Sequence, residues 1–135
     1  MNEWNVRNQK VIDEFRANGG KVSWFGSLLL LHTKGAKSGQ ERINPVVYMQ
    51  DNDRWLIVAS KGGAPTHPDW FYNIKANPLV TVEIGTETRQ AQATVADEPE
   101  RTQLYDRIAS AMPSFAEYRS KTERSIPVVI LTPVK

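Results

Sequence analysis

The sequence predicts a mainly β fold with added α-helices: a closed or nearly closed antiparallel barrel of about six strands, with helices covering its ends. Three observations lead there. Short apolar, β-rich runs follow one another with only turn residues between the first three. One later hairpin alternates strictly, Ala91, Ala93 and Val95 against Gln90, Gln92 and Thr94. Helical periodicity is confined to the N-terminus and to segments after residue 69. Parallel neighbours need a long crossover, and the early strands have none, so a parallel α/β sheet is disfavoured.

Each element has its own reason. Residues 3–18 repeat Trp4, Val11, Ile12 and Phe15 near the helical period, and Gly19-Gly20 supplies the stop. Residues 28–33 (LLLLHT) form a short apolar run and 43–49 (INPVVYM) a second strand. Residues 51–53 (DND) turn into a third strand at 55–60 (WLIVAS). A Gly/Pro-rich loop spans 61–69. A short helix at 70–77 ends before Pro78, because the residue ahead of a proline is pushed out of helical geometry. LVTVEI and RQAQATVA form the hairpin around Gly85-Thr86. Residues 98–112 read as a helix with Leu104, Ile108 and Ala111 on one face, opened by Pro99 and acidic first-turn residues. PSFAEYRSK adds a further helical turn, and 125–132 (SIPVVILT) is a last buried strand.

The 135 residues suffice for one domain, residues 1–135, with the N-terminal helix within residues 1–20. Hydrophobic residues make up 40% and charged residues 24%, an ordinary globular composition. A net charge of +2 is too small to argue nucleic-acid binding and suits an anionic small ligand at least as well. With no cysteine, thiol and disulfide chemistry are excluded. The N-terminus is too polar for a signal peptide, and the run Leu28 to Leu31 is far short of a membrane span. The expected location is the cytoplasm.

Chemistry has two candidate seats. GAKSGQERINP (35–45) carries more than a hairpin turn requires. Glycines and Ser38 allow successive N–H groups to face one concavity, Lys37 adds a point charge, and Arg42 offers a fork for phosphate or carboxylate. The same stretch also reads as a solvated turn whose lysines keep a sheet edge soluble. SKGGAPTHPDWFYN (60–73) repeats the theme: Ser60, Lys61 and two glycines after a strand, then aromatics on a helix. Trp70 and Asn73 share a helical face, fit either to flank a ring or to pack a core. The two histidines, His32 and His67, lack the clustered carboxylates of a zinc site, and no hydrolytic triad can be built from these spacings. RSIPVVILT shows a core strand with no evident chemistry. Two basic glycine-bearing loops without hydrolytic machinery suit a phosphorylated cofactor that brings its own reactivity.

The order GAKSGQERINP, VASKGGAPTHPDWFYNIKANP and MPSFAEYRSKTERSIPVVIL resembles the deazaflavin-dependent nitroreductase family, small split-barrel oxidoreductases that use coenzyme F420. The resemblance runs from about residue 27 to 133, and its motifs are specific because they occur together and in order. It implies a six- to seven-stranded antiparallel split β-barrel with flanking helices. It implies hydride transfer from reduced F420 to a small-molecule electron acceptor: a quinone, an enone or a nitroaromatic. Lys37 and Ser38 should contact the cofactor phosphate and its polyglutamate tail. Arg42, Asn44 and Pro45 should line the same groove. Ser60, Lys61 and Gly62 should lie along the deazaflavin and its ribityl chain, with Trp70 and Asn73 flanking it.

The resemblance also implies that Tyr118 orients or protonates the acceptor, with Ser60 the second candidate catalytic residue. No metal is implied. Three departures are visible. Ala36 stands where the family often has arginine, which weakens contact with the anionic tail. Phe115 stands where nitro-reducing members resemble a tyrosine, which questions nitroimidazole activation. Asp69 replaces an apolar residue. The rivals are an FMN-binding split-barrel oxidoreductase, a non-catalytic cofactor-binding protein, and a small nucleic-acid-binding barrel. The last is disfavoured because the aromatics follow a Gly/Pro loop instead of alternating along a strand face. The partner is thus a small molecule, not nucleic acid. A homodimer through a sheet face fits the fold. Membrane contact is at most transient and peripheral, because the N-terminal helix is too polar for stable anchoring.

Overall fold

The structure is a computed structural model and describes residues 3–20 and 28–134. Six strands form the barrel: β1 (Leu28–Lys34), β2 (Glu41–Asp51), β3 (Arg54–Val58), β4 (Leu79–Ile84), β5 (Glu87–Val95) and β6 (Val128–Pro133). They close in the order β1-β2-β3-β6-β5-β4, every pair antiparallel, with β4 returning to β1. Closure removes the unpaired edges that an open sheet of this size must hide. β2 is longer than its apolar run suggests, because hydrogen bonding to β1 continues out to Lys34↔Glu41.

The period-two alternation divides two apolar layers. Leu29 and Leu31, Trp55 and Ile57, Val80 and Val82, Ala91 and Ala93, and Val129 and Leu131 point into the barrel. The small alanines on β5 leave room for Trp55 opposite. Outward-facing Leu56, Val58, Val128 and Ile130 meet helices instead.

Helices were expected to cover the barrel ends, and of the four that form, one does. α2 (Asp69–Ala76) plugs one end, sinking Trp70, Phe71 and Ile74 into the barrel interior. The other three lie against its outer wall, because the outward residues of β1, β3 and β6 are apolar and need cover. α1 (Glu3–Ala17) sets Ile12 and Phe15 on Leu28 and Leu30. Its last turn is tied down by Arg16, which grips Glu83 bidentately at 2.7 and 3.1 Å, and Glu83 also meets His32 at 2.6 Å. Those Arg16 hydrogen bonds, ahead of the His32 contact, hold the Glu83 carboxyl below its ordinary value. Trp24, Phe25 and the side chain of Trp4 lie outside the described residues.

α3 (Glu100–Ala111) and α4 (Pro113–Ser120) form a pair over β3 and β6. Ala111 is exposed. The buried face of α3 is Leu104, Tyr105, Ile108 and Ala109, since the pair closes over Tyr105. The Tyr105 hydroxyl, fully buried, donates to the carbonyl of Phe115 and so locks α4 onto α3. Tyr105→Phe removes that bond while the Phe115 carbonyl stays within the helical ladder of α4, and chemical denaturation is expected to show a loss of about 1 kcal/mol. An unchanged midpoint would show the bond to be dispensable.

Candidate functional site

Antiparallel order brings the two glycine-bearing loops together. The C-terminal end of β1, the N-terminal end of β2 and the C-terminal end of β3 all lie at the end that α2 plugs. The turn 35–40 therefore leaves one side of β2 and the loop 59–63 the other.

The first turn is tightly made. Gly35 N–H donates to Gln40 O at 2.8 Å, Gly39 N–H to Gly35 O at 2.9 Å, and Gln40 N–H to Ser38 Oγ at 3.2 Å. A Cβ at position 35 would lie 2.5 Å from Ser38 Oγ, so a larger residue there would make the Ser38 side chain give way. The backbone N–H groups of Lys37 and Ser38 have no partner among the described residues, and both residues are exposed. Lys34, Lys37 and Arg42 form no ion pair with any described residue. Cations and N–H donors left unspent on one turn are what an anion cradle requires.

Asn73 explains how the cradle is held. It is buried in α2. Its Oδ1 accepts the N–H of Ala36 at 2.9 Å and its Nδ2 donates to Thr33 Oγ1 at 3.1 Å. A single amide thus joins the plug helix, the end of β1 and the cradle turn. Trp70 is 6% exposed and packed among the barrel-lining side chains, and the Asn73 amide holds two protein partners while keeping one N–H and one lone pair for another. They share a face as the spacing predicted, but that face is the one that plugs the barrel. Along β2, Arg42 and Asn44 lie on one face and Pro45 on the other, so the three do not line a single wall.

The second loop is a single 3-10 turn, Lys61–Gly63, entered from Ser60. Ser60 is helical in its backbone angles (φ −79°, ψ −37°), and Lys61 follows at φ +48°, a left-handed conformation costly for a residue with a side chain. The N–H groups of Ser60 and Lys61 have no partner among the described residues. The Lys61 ammonium reaches Thr66 Oγ1 at 3.3 Å. Gly63, at φ +83°, abuts α4: a Cβ there would lie 3.0 Å from Tyr118 O. The turn therefore lies against the backbone of α4 at Tyr118. The Tyr118 ring stands edge-on to Phe115 at 5.5 Å, half-buried, and its hydroxyl has no partner among the described residues. Phe115 itself is buried packing.

Sequence reasoning missed Arg124, which precedes the last strand in a stretch that showed no chemistry. Its guanidinium donates to Ser60 O at 2.7 Å, Ala64 O at 2.9 Å and Ala59 O at 3.2 Å, and Nη1 meets His67 Nδ1 at 2.8 Å. No spacing links residue 124 to residues 59–67; only the fold does. An arginine cannot accept, so His67 Nδ1 accepts and the imidazole proton sits on Nε2.

Burial, then the Arg124 and Lys75 charges, push the His67 pKa below the ordinary imidazole value. A depressed pKa means the unfolded chain takes up protons first on acidification. The His67 contribution is therefore complete above about pH 6.5 and is lost as pH falls from there through the folded value. His67→Gln keeps an acceptor and cannot titrate, so its melting temperature is expected to fall less across that window. Parallel curves for the two proteins would show that His67 does not titrate there. The lowered pKa values of Asp51 and Glu83 act at lower pH, around and below the carboxylate range.

An open cavity of about 640 Å³ lies at the opposite mouth, between Tyr48, Trp55, Ile84, Arg89, Thr132 and Pro133. It shares no residue with either loop and has Asp53 and Glu87 on its rim, so it does not suit an anion. Among the described residues no group of three or more His, Cys, Asp or Glu side chains is placed to hold a metal ion, and no helix is long and apolar enough to cross a membrane.

Fold and site together define a small barrel with two donor-rich turns at one end, one on either side of β2. Known proteins give the class its particulars. The F420H(2)-dependent quinone reductase family matches residues 5–133. An F420H(2)-dependent quinone reductase of Mycobacterium tuberculosis (strain ATCC 25618 / H37Rv) is 41% identical over 117 residues, 84% of this chain and 78% of that one. An F420-H2 dependent reductase of known structure (FDR-A) is also 41% identical, with TM-score 0.70 over 77% of this chain and 92% of that chain. A structure described as a domain-swapped dimer is 36% identical, with TM-score 0.72 over 96% and 97% of the two chains. This chain belongs to the F420H(2)-dependent quinone reductase family.

Proposed function

We propose that this chain holds reduced coenzyme F420 along the two donor turns and presents a quinone-type acceptor beside Tyr118. The observation that carries the reading is the pair of unspent donor sets at one end of the barrel: Lys37, Ser38 and Arg42 on one turn, Ser60 and Lys61 on the other. The residues fit the group. A phosphate and several carboxylates need exposed cations and free N–H donors, and the cradle turn has both. The ring and ribityl chain fall to Ser60, Lys61 and Gly62.

Bound in reduced form, the coenzyme supplies a hydride. The chain supplies placement, which alone is worth several orders of magnitude in rate when reacting atoms are held in contact. Tyr118, whose backbone abuts Gly63 and whose hydroxyl has no partner among the described residues, donates a hydrogen bond to the acceptor oxygen as negative charge grows there. A phenol is a weak acid, so orientation is its first role and proton delivery its second. Enones and nitroaromatics are acceptors of the same electronic kind. With Phe115 buried, the only tyrosine hydroxyl on α4 is that of Tyr118.

The test is equilibrium binding of purified protein to F420 and to FMN by quenching of ligand fluorescence, followed by turnover with a soluble quinone. Selective F420 binding and quinone reduction are expected, and Tyr118→Phe should lower kcat by roughly tenfold, the worth of one hydrogen bond in the transition state, with binding of F420 unchanged. Selective FMN binding would overturn the cofactor assignment, and unchanged turnover by Tyr118→Phe would remove the role of its hydroxyl.

A further inference from the structure

Arg124 is half-buried and has no carboxylate partner among the described residues. All its bonds but one go to main-chain carbonyls, and all of those carbonyls belong to the loop around Ser60. A planar fork with several fixed donors can satisfy three carbonyls at once; an ammonium cannot. The loop it grips contains the left-handed Lys61, a conformation that persists only where surrounding structure enforces it. A right-handed residue followed by a left-handed one turns successive N–H groups to the same side. Here the carbonyls of Ala59, Ser60 and Ala64 face Arg124, while the N–H groups of Ser60 and Lys61 have no partner among the described residues.

We propose that Arg124 is the positioning residue of this donor pair: its grip on the carbonyls of Ala59, Ser60 and Ala64 holds the Ser60–Lys61 turn so that its N–H groups receive the carbonyl-bearing pyrimidine edge of the deazaflavin ring. The proposal rests on the cofactor assignment above. It divides the labour between the turns: Lys37 serves the phosphate and tail, and Arg124, through Ser60 and Lys61, serves the ring. It also places a positive charge behind the donors, which strengthens them toward an electron-rich edge.

Two measurements on the full chain test this, one with ligand and one without. Binding is compared for F420 and for 8-hydroxy-5-deazariboflavin, which has the ring and ribityl chain but no phosphate or tail. Arg124→Met and Arg124→Lys are both expected to lose affinity for the two ligands by the same factor, roughly tenfold, the worth of about two neutral hydrogen bonds. Lys fails with Met because the fork matters, not the charge alone. Adding Lys61→Gly to Arg124→Met should recover part of the ring affinity, relative to Lys61→Gly alone, since glycine adopts the positive φ without enforcement. A mere loss of stability predicts neither the equal factors nor the recovery. Full affinity for both ligands in a folded Arg124→Met protein would overturn the proposal.

The second measurement needs no cofactor. Amide hydrogen exchange in Arg124→Met should speed up at Gly63 and Ala64, whose N–H groups bond to Ser60 and Lys61 carbonyls, while β3 and β6 stay protected. Unchanged exchange at Gly63 and Ala64 would overturn the positioning role. Failure of the wild-type protein to bind either deazaflavin, with exchange altered as expected, would leave the grip intact and overturn the cofactor assignment instead.

Discussion

Lys37→Ala will bind F420 roughly tenfold more weakly or worse, the worth of one charge-assisted hydrogen bond to phosphate discounted for an exposed side chain. The physical ground is the cradle turn. Among the described residues, exposed Lys37 has no carboxylate partner and the N–H groups of Lys37 and Ser38 are unspent. Alanine keeps the backbone donors and removes only the ammonium. The loss should therefore be partial, and it should shrink as salt rises, because screening already weakens an exposed charge. Affinity for the tail-less 8-hydroxy-5-deazariboflavin should not change. Three titrations decide it: both ligands at low salt, and F420 again at high salt. Undiminished F420 affinity would return Lys37 to the role of a solubilising surface charge. An equal loss for both ligands would show that Lys37 acts on the ring and not on the phosphate.

Asn73→Ala will cost about 3 kcal/mol and lower the melting temperature by roughly 10 °C. One amide meets two partners on different elements, and both lose their bond: the exposed Ala36 N–H, which turns to water, and the buried Thr33 hydroxyl at the end of β1. The methyl group that replaces it also leaves space in a packed plug. Thr33→Val removes only one of the two bonds and should cost less, about 1–2 kcal/mol. The two variants should part company in binding. Asn73→Ala frees the Ala36 end of the cradle and should weaken F420 binding even where the protein is fully folded, whereas Thr33→Val leaves that bond in place. Equal stabilities for Asn73→Ala and wild type would show that the plug does not depend on the amide. Equal F420 affinities would separate the plug from the cradle.

Much of this molecule is legible without its coordinates. The strands at Leu28–Lys34 and Leu79–Ile84, the alternation of Ala91 and Ala93, and the helix ending before Pro78 all follow from local rules, because periodicity and turn chemistry act over a few neighbouring residues. The ordered motifs in 35–45, 60–78 and 112–130 carry the family in the same way, since each donor turn is written in one continuous stretch. The identity of the two donor turns is therefore a matter of sequence.

The tertiary structure decided what each of those residues is free to do. Trp70 and Asn73 share a helical face, but only barrel closure makes that face the inside of a plug, so that one becomes core and the other a brace for Ala36 and Thr33. Pro45 is adjacent in sequence to Asn44 and opposite to it across β2, because side chains alternate along a strand. Arg124 lies some sixty residues from the carbonyls it grips. No propensity or spacing reports such a contact. It exists because β6 pairs with β3 and so returns the chain to the loop that β3 feeds. Local chemistry is a property of neighbours in the chain, and long-range pairing is a property of a closed sheet. The sequence by itself determined the donors of this site, and the fold determined how they are held.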